Sequence, residues 1–229
     1  MRLPEAWVFD IDDTLYLERD YALSGFHAVG EWLHATRRIT GFADCCWNLF
    51  EQGVRGRIFN QACEVLGVDT DLGLLTQLID VYRRHSPVIS LAPDAREFLD
   101  SLPGGKPVAI LTGGPPTAQR RKVAALELTD WTTKIVYAGS WGTEYDKPHS
   151  RGWVTVQHSL GMPPESLVYI ADNPRKDFEA PLALGWSVIR VRRPGSEHFG
   201  VETPPGVHEV TSLGSDFTHW IRTRSRINP

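Results

Sequence analysis

The amino-acid sequence predicts an α/β fold in which a parallel β-sheet carries helices on both faces. Five short apolar runs are continuous rather than alternating, as is typical of strands that are buried on both faces. Helical segments separate the last four runs, and strands that alternate with helices favour a doubly wound sheet. The predicted strands are 7–9, 108–111, 135–137, 167–170 and 188–191.

Helices are predicted between these strands at 93–102, 116–128, 150–160 and 177–184. The first of them places Phe98 and Leu99 on one side. The third ends before Gly161, a residue suited to a helix C-terminus because it tolerates the left-handed conformation. After the last strand we predict a further strand at 207–210 and a helix at 216–221.

A long interval between the first strand and the helix at 93 has helical patterns and no strand pattern. Apolar residues recur there at helical spacing in three places, as in amphipathic helices that pack on one another. The stripes are Phe26, Val29, Trp32 and Leu33; Ile58, Phe59, Ala62, Val65 and Leu66; and Leu72, Leu75, Leu78, Ile79 and Tyr82. We therefore predict an α-helical domain at 16–89, inserted into an α/β core domain formed by 1–15 and 90–229.

The composition is that of an ordinary globular protein. Of 229 residues, 41% are hydrophobic and 23% are charged, which excludes a disordered or collagen-like chain. The formal net charge of −4 gives no support for nucleic-acid binding. No apolar run approaches the ~20 residues of a membrane span, and acidic residues stand where a signal peptide would be apolar. Cys45, Cys46 and Cys63 form no disulfide framework, so we expect a cytoplasmic protein without nucleic-acid or membrane partners.

Acidic residues follow two of the predicted strands. Asp10, Asp12 and Asp13 come directly after the first strand, and Asp172 follows the fourth. Ligands of an open α/β sheet bind beyond the carboxyl ends of its strands, so these carboxylates are expected near one another. Crowded acids repel unless a cation lies among them, and Mg²⁺ prefers oxygen ligands. The sequence therefore predicts a Mg²⁺ site at this edge.

Groups that bind phosphate follow the second and third predicted strands. Thr112 and Gly113 end the second strand, and Lys147 follows the third. A hydroxyl, backbone amides and a lysine ammonium together supply what a phosphate dianion requires. Combined with the acids, they predict a metal-assisted phosphoryl-transfer site.

Four motifs, each at or just after a predicted strand end, resemble those of the haloacid dehalogenase-like (HAD) superfamily. They are VFDIDDT (8–14), AILTG (109–113), Lys147 before Pro148, and YIADNPRKD (169–177). The resemblance covers residues 8 to about 191. It implies a Rossmann-like core, and the long insertion after the first motif resembles a helical cap of the first type. Such a cap closes over the site and favours small-molecule substrates.

The resemblance also implies roles for individual residues. Asp10 would be the nucleophile that forms an aspartyl-phosphate, and Asp12 would be the general acid and base. Thr112, the Gly113 amide and Lys147 would bind the transferring phosphoryl group.

The resemblance also implies which residues hold the metal and its surroundings. Mg²⁺ would be bound by the Asp10 carboxylate, the backbone carbonyl of Asp12 and Asp172. Asp177 would fix Lys147 or a metal-bound water, and Thr14 would help to hold the loop.

Within the superfamily, the residues favour a phosphatase. Dehalogenases lack an acid at the position of Asp12. Phosphonate-cleaving members use a cap lysine, whereas this chain has no lysine before Lys106. Mutases usually carry Gly-Val in place of Asp13-Thr14. A phosphomutase with the same intermediate, or a catalytically idle binding or regulatory protein, remains an alternative.

The substrate is expected to be a small phosphorylated metabolite, such as a sugar phosphate or nucleoside monophosphate, by analogy with the superfamily. Glu18, Arg55 and Arg57 are candidates for reading its leaving group, although surface roles are favoured for each. Other charged residues are given structural interpretations. Asp13 is expected to cap a helix or lie on the surface, and the run 120–122 is expected to be a solvated helix face.

Overall fold

The structure is a computed structural model that describes residues 4–102, 106–214 and 217. The chain divides into two compact units. The core unit comprises Met1–Glu18 and Ser90–Pro229, and the helical unit is Arg19–Ile89. The predicted division into a core domain, 1–15 and 90–229, and a helical domain, 16–89, stays a prediction.

The core unit contains a parallel sheet of six strands in the order β3-β2-β1-β4-β5-β6. All five predicted strands and the predicted sixth are confirmed. Their bounds are β1 Ala6–Phe9, β2 Val108–Thr112, β3 Ile135–Tyr137, β4 Leu167–Ala171, β5 Ser187–Val191 and β6 His208–Val210.

The strand order places the two acidic strand ends side by side. β1 pairs with both β2 and β4, so that Val8 lies opposite Ala109 on one side and Tyr169 on the other. The chain extends the sheet from β1 to β3 in one direction and then crosses to β4 on the other side of β1. A reversal of this kind opens a crevice beyond the carboxyl ends of the strands, where ligands of doubly wound folds bind.

The helical unit is built from four helices around an apolar core. They are α1 Glu18–Arg37, α2 Phe42–Glu51, α3 Ile58–Val65 and α4 Leu72–Arg84. The predicted stripe of α1 is mostly buried, with Trp32 half-buried, whereas α4 buries Leu74 and Leu78 and leaves Leu72 85% exposed. The prediction for α4 was therefore wrong at its first turn, where Asp71 caps the helix by accepting a hydrogen bond from the Leu74 N–H at 2.6 Å.

Among the residues of the core unit that the structure describes, four α-helices flank the sheet. They are α5 Pro93–Ser101, α6 Pro116–Ala125, α7 Arg151–Leu160 and α8 Glu179–Ala183. The helix predicted at 116–128 ends at Ala125, because Glu127 is left-handed (φ 55°) and a 3₁₀ turn, Leu128–Asp130, follows. The helix predicted at 177–184 is shorter because residues 173–177 form a turn. Gly161 ends α7 with φ 64°, as predicted.

Two remaining predictions concern the tail and the membrane. Apart from Phe217, the helix predicted at 216–221 lies outside the described residues. Phe217 itself packs edge-on against Trp7 and Phe98 beneath the sheet. Among the described helices, none combines the length and the apolar character that crossing a membrane requires.

Candidate active site

A buried lysine joins two carboxylates beyond the ends of β1 and β4. The Nζ of Lys147 lies 2.8 Å from Asp10 Oδ1 and 2.7 Å from Asp177 Oδ1. It also donates to the hydroxyl of Tyr169, on β4, at 3.0 Å. Burial alone would lower the pKa of Lys147, but the charges of Asp10 and Asp177 raise it well above its ordinary value. Lys147 therefore stays an ammonium and fixes the orientation of Asp10.

Three carboxylates converge at this edge of the sheet. Oxygens of Asp10, Asp172 and Asp177 lie within 4.8 Å of one another, and all three residues are buried. Burial, followed by the charges of Asp10 and Asp177, raises the pKa of Asp172 to about 9. Burial likewise raises the pKa of Asp10 to about 6, although Lys147 opposes the shift. One lysine therefore does not neutralise this acid group.

The donor set of this acid group fits a hard divalent cation. Three carboxylates supply oxygen ligands only, which suits Mg²⁺ rather than a metal that prefers sulfur or imidazole. Burial, and then the charges of Asp10 and Asp177, raise the pKa of Asp172, and a cation bound among the three carboxylates would lower it again. Asp10 and Asp172 of the predicted metal set lie together here. The third carboxylate of the group is Asp177, which was predicted to lie next to the metal site. For Asp12 the predicted metal ligand is the backbone carbonyl, which stays a prediction, and its side chain contacts Gln119 and Lys122 of α6.

Replacing Asp172 by asparagine should stabilise the metal-free protein at alkaline pH. Folding raises the pKa of Asp172, so the buried carboxyl group lowers the stability of the folded protein at any pH at which it would be ionised in the unfolded chain. This cost is absent below about pH 4 and grows as the pH rises towards 9. In a chelating buffer, the thermal unfolding midpoint of Asp172→Asn should exceed that of the wild type by several degrees at about pH 8, and by less at about pH 5. The exposed replacement Asp130→Asn is the control. Equal midpoints for Asp172→Asn and the wild type at both pH values would contradict the assigned burial cost.

The predicted phosphate-binding residues surround a tightly packed turn after β2. Thr112 is 1% exposed, and its hydroxyl has no hydrogen-bond partner among the described residues. Asp146 accepts hydrogen bonds from the amides of Gly114 and Lys147, both at 2.8 Å. A Cβ at Gly113 would lie 2.8 Å from Asp146 Oδ1, so only glycine fits there. The Thr112 hydroxyl is thus left available to a ligand.

The carboxylate of Asp12 is held from helix α6. Its Oδ1 lies 2.6 Å from both Lys122 Nζ and the Tyr16 hydroxyl, and its Oδ2 accepts from Gln119 Nε2 at 2.8 Å. Burial alone would raise the pKa of Asp12, but the Lys122 charge and these hydrogen bonds hold it below its ordinary value. Asp12 is therefore a carboxylate with three donors.

The interpretation of 120–122 as a solvated face is wrong for Lys122. Arg120 is exposed and stacks its guanidinium over Tyr137, but Lys122 is only 2% exposed. The physical reason is helical periodicity: Lys122 lies one turn beyond the buried Ala118 and Gln119, on the side that faces the site.

The loop between β1 and α1 is held by hydrogen bonds to the Asp13 carboxylate and to the Thr14 carbonyl. Asp13 is buried and left-handed (φ 52°), and its carboxylate accepts from the N–H groups of Glu18 and Glu197 at 2.8 Å each. Its expected capping role is thus seen at the start of α1, whereas the surface position is wrong. Thr14 accepts a hydrogen bond from Arg193 Nε through its carbonyl, and its buried hydroxyl has no partner among the described residues.

Of the three candidates for substrate specificity, Glu18 lies in the core unit, whereas Arg55 and Arg57 lie in the helical unit. Glu18 begins α1, and its carboxylate lies 3.4 Å from Lys122 Nζ. The charge of Asp12, and then burial, raises the pKa of Glu18 to about 7. In the helical unit, Arg55 donates to the carbonyl of Phe50 at 2.8 Å and stacks over its ring. Arg57 is exposed immediately before α3.

Four residues of the site were not singled out from the sequence: Tyr16, Gln119, Lys122 and Tyr169. The spacing of Gln119 and Lys122, three residues apart just after the predicted phosphate-binding turn, is the signal that would have found them. Tyr169 lies in β4, whose sequence pattern is that of an apolar, buried strand. This pattern does not indicate that the Tyr169 hydroxyl contacts Lys147.

Sequence comparison finds two relatives of different activity. The chain is 28% identical over 140 residues to a phosphoserine phosphatase from Thermus thermophilus, and 29% identical over 141 residues to an (S)-2-haloacid dehalogenase from Xanthobacter autotrophicus. The alignments cover 61% and 62% of this chain, and 55% and 53% of the relatives. The chain thus matches about half the length of each.

Solved structures share the fold at low identity. L-2-haloacid dehalogenase from Xanthobacter autotrophicus aligns with a TM-score of 0.63 at 21% identity, covering 96% of this chain and 99% of that one. A HAD-hydrolase from Bacillus subtilis, determined bound to magnesium, aligns with a TM-score of 0.64 at 18% identity and the same coverage. A HAD-superfamily hydrolase from Geobacter sulfurreducens gives 0.65 at 14%, covering 95% and 96%.

The family assignment rests on more than the fold. The strand order, the acid group beyond β1 and β4 and the four motifs occur together in one chain. Residues 4–185, most of the core unit and all of the helical unit, match the haloacid dehalogenase-like hydrolase family along their whole length. The protein therefore belongs to the haloacid dehalogenase-like hydrolases.

Proposed function

We propose that this hydrolase is a Mg²⁺-dependent phosphatase that cleaves a small phosphomonoester through an aspartyl-phosphate on Asp10. The observation that carries the proposal is that Asp10 and Asp12, only two residues apart in the sequence, have carboxylates in different surroundings. Asp10 is held by Lys147 within the acid group, whereas Asp12 is held from α6. A nucleophile and an acid/base group need such distinct surroundings.

In the first step, a carboxylate oxygen of Asp10 attacks phosphorus while the bond from phosphorus to the leaving oxygen breaks. Asp12, a carboxylate at rest, would take up the proton of a monoanionic ester and pass it to the leaving oxygen. Lys147 lies 2.8 Å from the attacking carboxylate, where its charge offsets that of the phosphoryl oxygens. The free hydroxyl of Thr112 would donate a hydrogen bond to one of those oxygens.

In the second step, water attacks phosphorus and the bond between phosphorus and Asp10 breaks. Asp12 accepts the proton of the water and then releases it to solvent, which restores its carboxylate. The lowered pKa of Asp12 favours this base role at neutral pH. Asp10 is released as a carboxylate beside Lys147, ready for another turnover.

Mg²⁺ would be held by the carboxylates of Asp10 and Asp172. Asp177 would hold Lys147, which it contacts at 2.7 Å. The bound Mg²⁺ would supply positive charge that favours the approach of an anionic ester to an anionic nucleophile. The magnesium-bound fold relative from Bacillus subtilis supports this choice of cofactor.

The substrate class follows from the same chemistry. A phosphate monoester is the anion that one lysine, one hydroxyl and a divalent cation are suited to bind. The phosphoserine phosphatase relative supports a metabolite-sized ester, and sugar phosphates and nucleoside monophosphates belong in the same panel.

Dehalogenation is the competing activity, because a haloacid dehalogenase is about equally similar in sequence. The test compares phosphate release from p-nitrophenyl phosphate, phosphoserine, sugar phosphates and nucleoside monophosphates with halide release from (S)-2-chloropropionate. We expect phosphate release that chelation abolishes and added Mg²⁺ restores, and no halide release. Phosphate that moves to a second hydroxyl of the substrate would instead identify a phosphomutase. Halide release in a chelating buffer, without phosphate release, would contradict the proposal.

A further inference from the structure

The contacts of Asp12 leave one acceptor position open on its carboxylate. An ionised carboxylate has about four lone-pair sites, two on each oxygen. Tyr16 and Lys122 both bind Oδ1 at 2.6 Å, and Gln119 binds Oδ2 at 2.8 Å. Among the described residues no other donor reaches this carboxylate, so the remaining site is on Oδ2. A proton taken from water would therefore go to Oδ2.

The two donors from α6 are placed as a rigid pair. Gln119 and Lys122 lie three residues apart, on the same side of the helix, and are 3% and 2% exposed. Fixing a long lysine side chain in the interior costs conformational entropy and hydration, so lysine is rarely buried without a charged partner. Here its charged partners are Asp12, at 2.6 Å, and Glu18, at 3.4 Å.

Gln119 also connects Asp12 to the phosphate-binding turn. Its Nε2 donates both to Asp12 Oδ2 and to the carbonyl of Gly113, each at 2.8 Å. One amide group thus sets the position of the carboxylate relative to the turn that carries Thr112. The acid group, by contrast, consists of Asp10, Asp172 and Asp177 without the Asp12 side chain.

We infer that Gln119 and Lys122 are positioning residues that orient the Asp12 carboxylate towards the water that hydrolyses the aspartyl-phosphate. The inference rests on the proposed function and assigns a role to two residues outside the four motifs. Neither residue touches the reacting atoms; both act through Asp12.

The test uses p-nitrophenyl phosphate, whose leaving group departs without help from an acid. For such a substrate kcat/KM reports formation of the aspartyl-phosphate, whereas kcat includes its hydrolysis. Lys122→Met should lower kcat about tenfold or more and lower KM by a similar factor, leaving kcat/KM within about threefold. Rapid mixing should show a burst of p-nitrophenol. A purely structural role for Lys122 would lower kcat and kcat/KM together.

Three further variants make the result specific. Arg121→Met removes the same charge from the neighbouring position of α6 and should behave as the wild type. Gln119→Leu should shift kcat and KM in the same direction as Lys122→Met, and it keeps the inference testable if Lys122→Met folds poorly. In an Asp12→Asn background, Lys122→Met should change kcat less than twofold, since the group it orients is gone.

The outcomes distinguish this inference from the proposed function. If the wild type releases phosphate and both Lys122→Met and Gln119→Leu match Arg121→Met, the positioning role is overturned while the phosphatase stands. An additive loss of kcat in the Asp12→Asn background would overturn it as well. Absence of phosphate release by the wild type would overturn the proposed function and, with it, this inference.

Discussion

Replacing Asp10 by asparagine should reduce phosphate release from p-nitrophenyl phosphate by about 10⁴-fold or more, because the amide cannot serve as the nucleophile. The fold should survive, since asparagine has nearly the same volume as aspartate. Burial already raises the pKa of Asp10 to about 6, so removing its charge relieves repulsion with Asp172 and Asp177. The measurement is steady-state phosphate release, together with thermal unfolding of the same preparation.

The exposed replacement Asp130→Asn is the control, because it makes the same chemical change away from the site. It should keep the activity of the wild type. An Asp10→Asn variant that is folded and hydrolyses the ester at near the normal rate would exclude a covalent intermediate on Asp10.

Replacing Lys147 by methionine should be the most destabilising single change in the site. Lys147 is almost completely buried between Asp10 and Asp177, so its loss leaves two carboxylates without their cation. Removing one partner of a buried ion pair typically costs about 3–5 kcal/mol. Denaturant unfolding in a chelating buffer should show a loss of this size in the free energy of unfolding, and phosphate release should fall together with it.

The exposed Lys134 offers a charge-matched comparison, and Lys134→Met should leave both stability and activity unchanged within error. Adding Asp177→Asn to Lys147→Met should recover part of the lost stability, because one stranded carboxylate is removed. A Lys147→Met protein that unfolds at the same denaturant concentration as the wild type would show that the pair contributes nothing.

The sheet could be predicted from the sequence because its strands are buried on both faces and are therefore continuously apolar. Each residue of β2 and β4, for instance, is buried. Helix α2 was not predicted, because only Phe42 and Cys46 are buried in it and its N-terminus lacks a capping side chain. The position of α2 is determined by its packing within the helical unit, and the local sequence pattern does not indicate this packing.

The candidate site could be predicted where its residues follow strands, and not where they lie within elements. Asp10, Thr112 and Asp172 stand at strand ends, so sheet topology alone places them at one edge. Lys122 contacts Asp12, which is 110 positions away in the sequence. The two arginines that precede Lys122 make the segment resemble a charged, solvent-exposed helix face. Only the folded chain shows that helical periodicity turns Lys122 inward while Arg120 stays exposed.

The central claim is that the phosphoryl group passes through Asp10, and it can be tested by trapping that group. The protein would be mixed with p-nitrophenyl phosphate and Mg²⁺, quenched in acid during turnover, digested and analysed by mass spectrometry. Our account predicts one phosphoryl group on the peptide that contains Asp10, absent from Asp10→Asn and more abundant in Lys122→Met. Continued phosphate release with an unmodified Asp10 peptide, or an ester of Asp10 formed from a 2-haloacid instead, would contradict it.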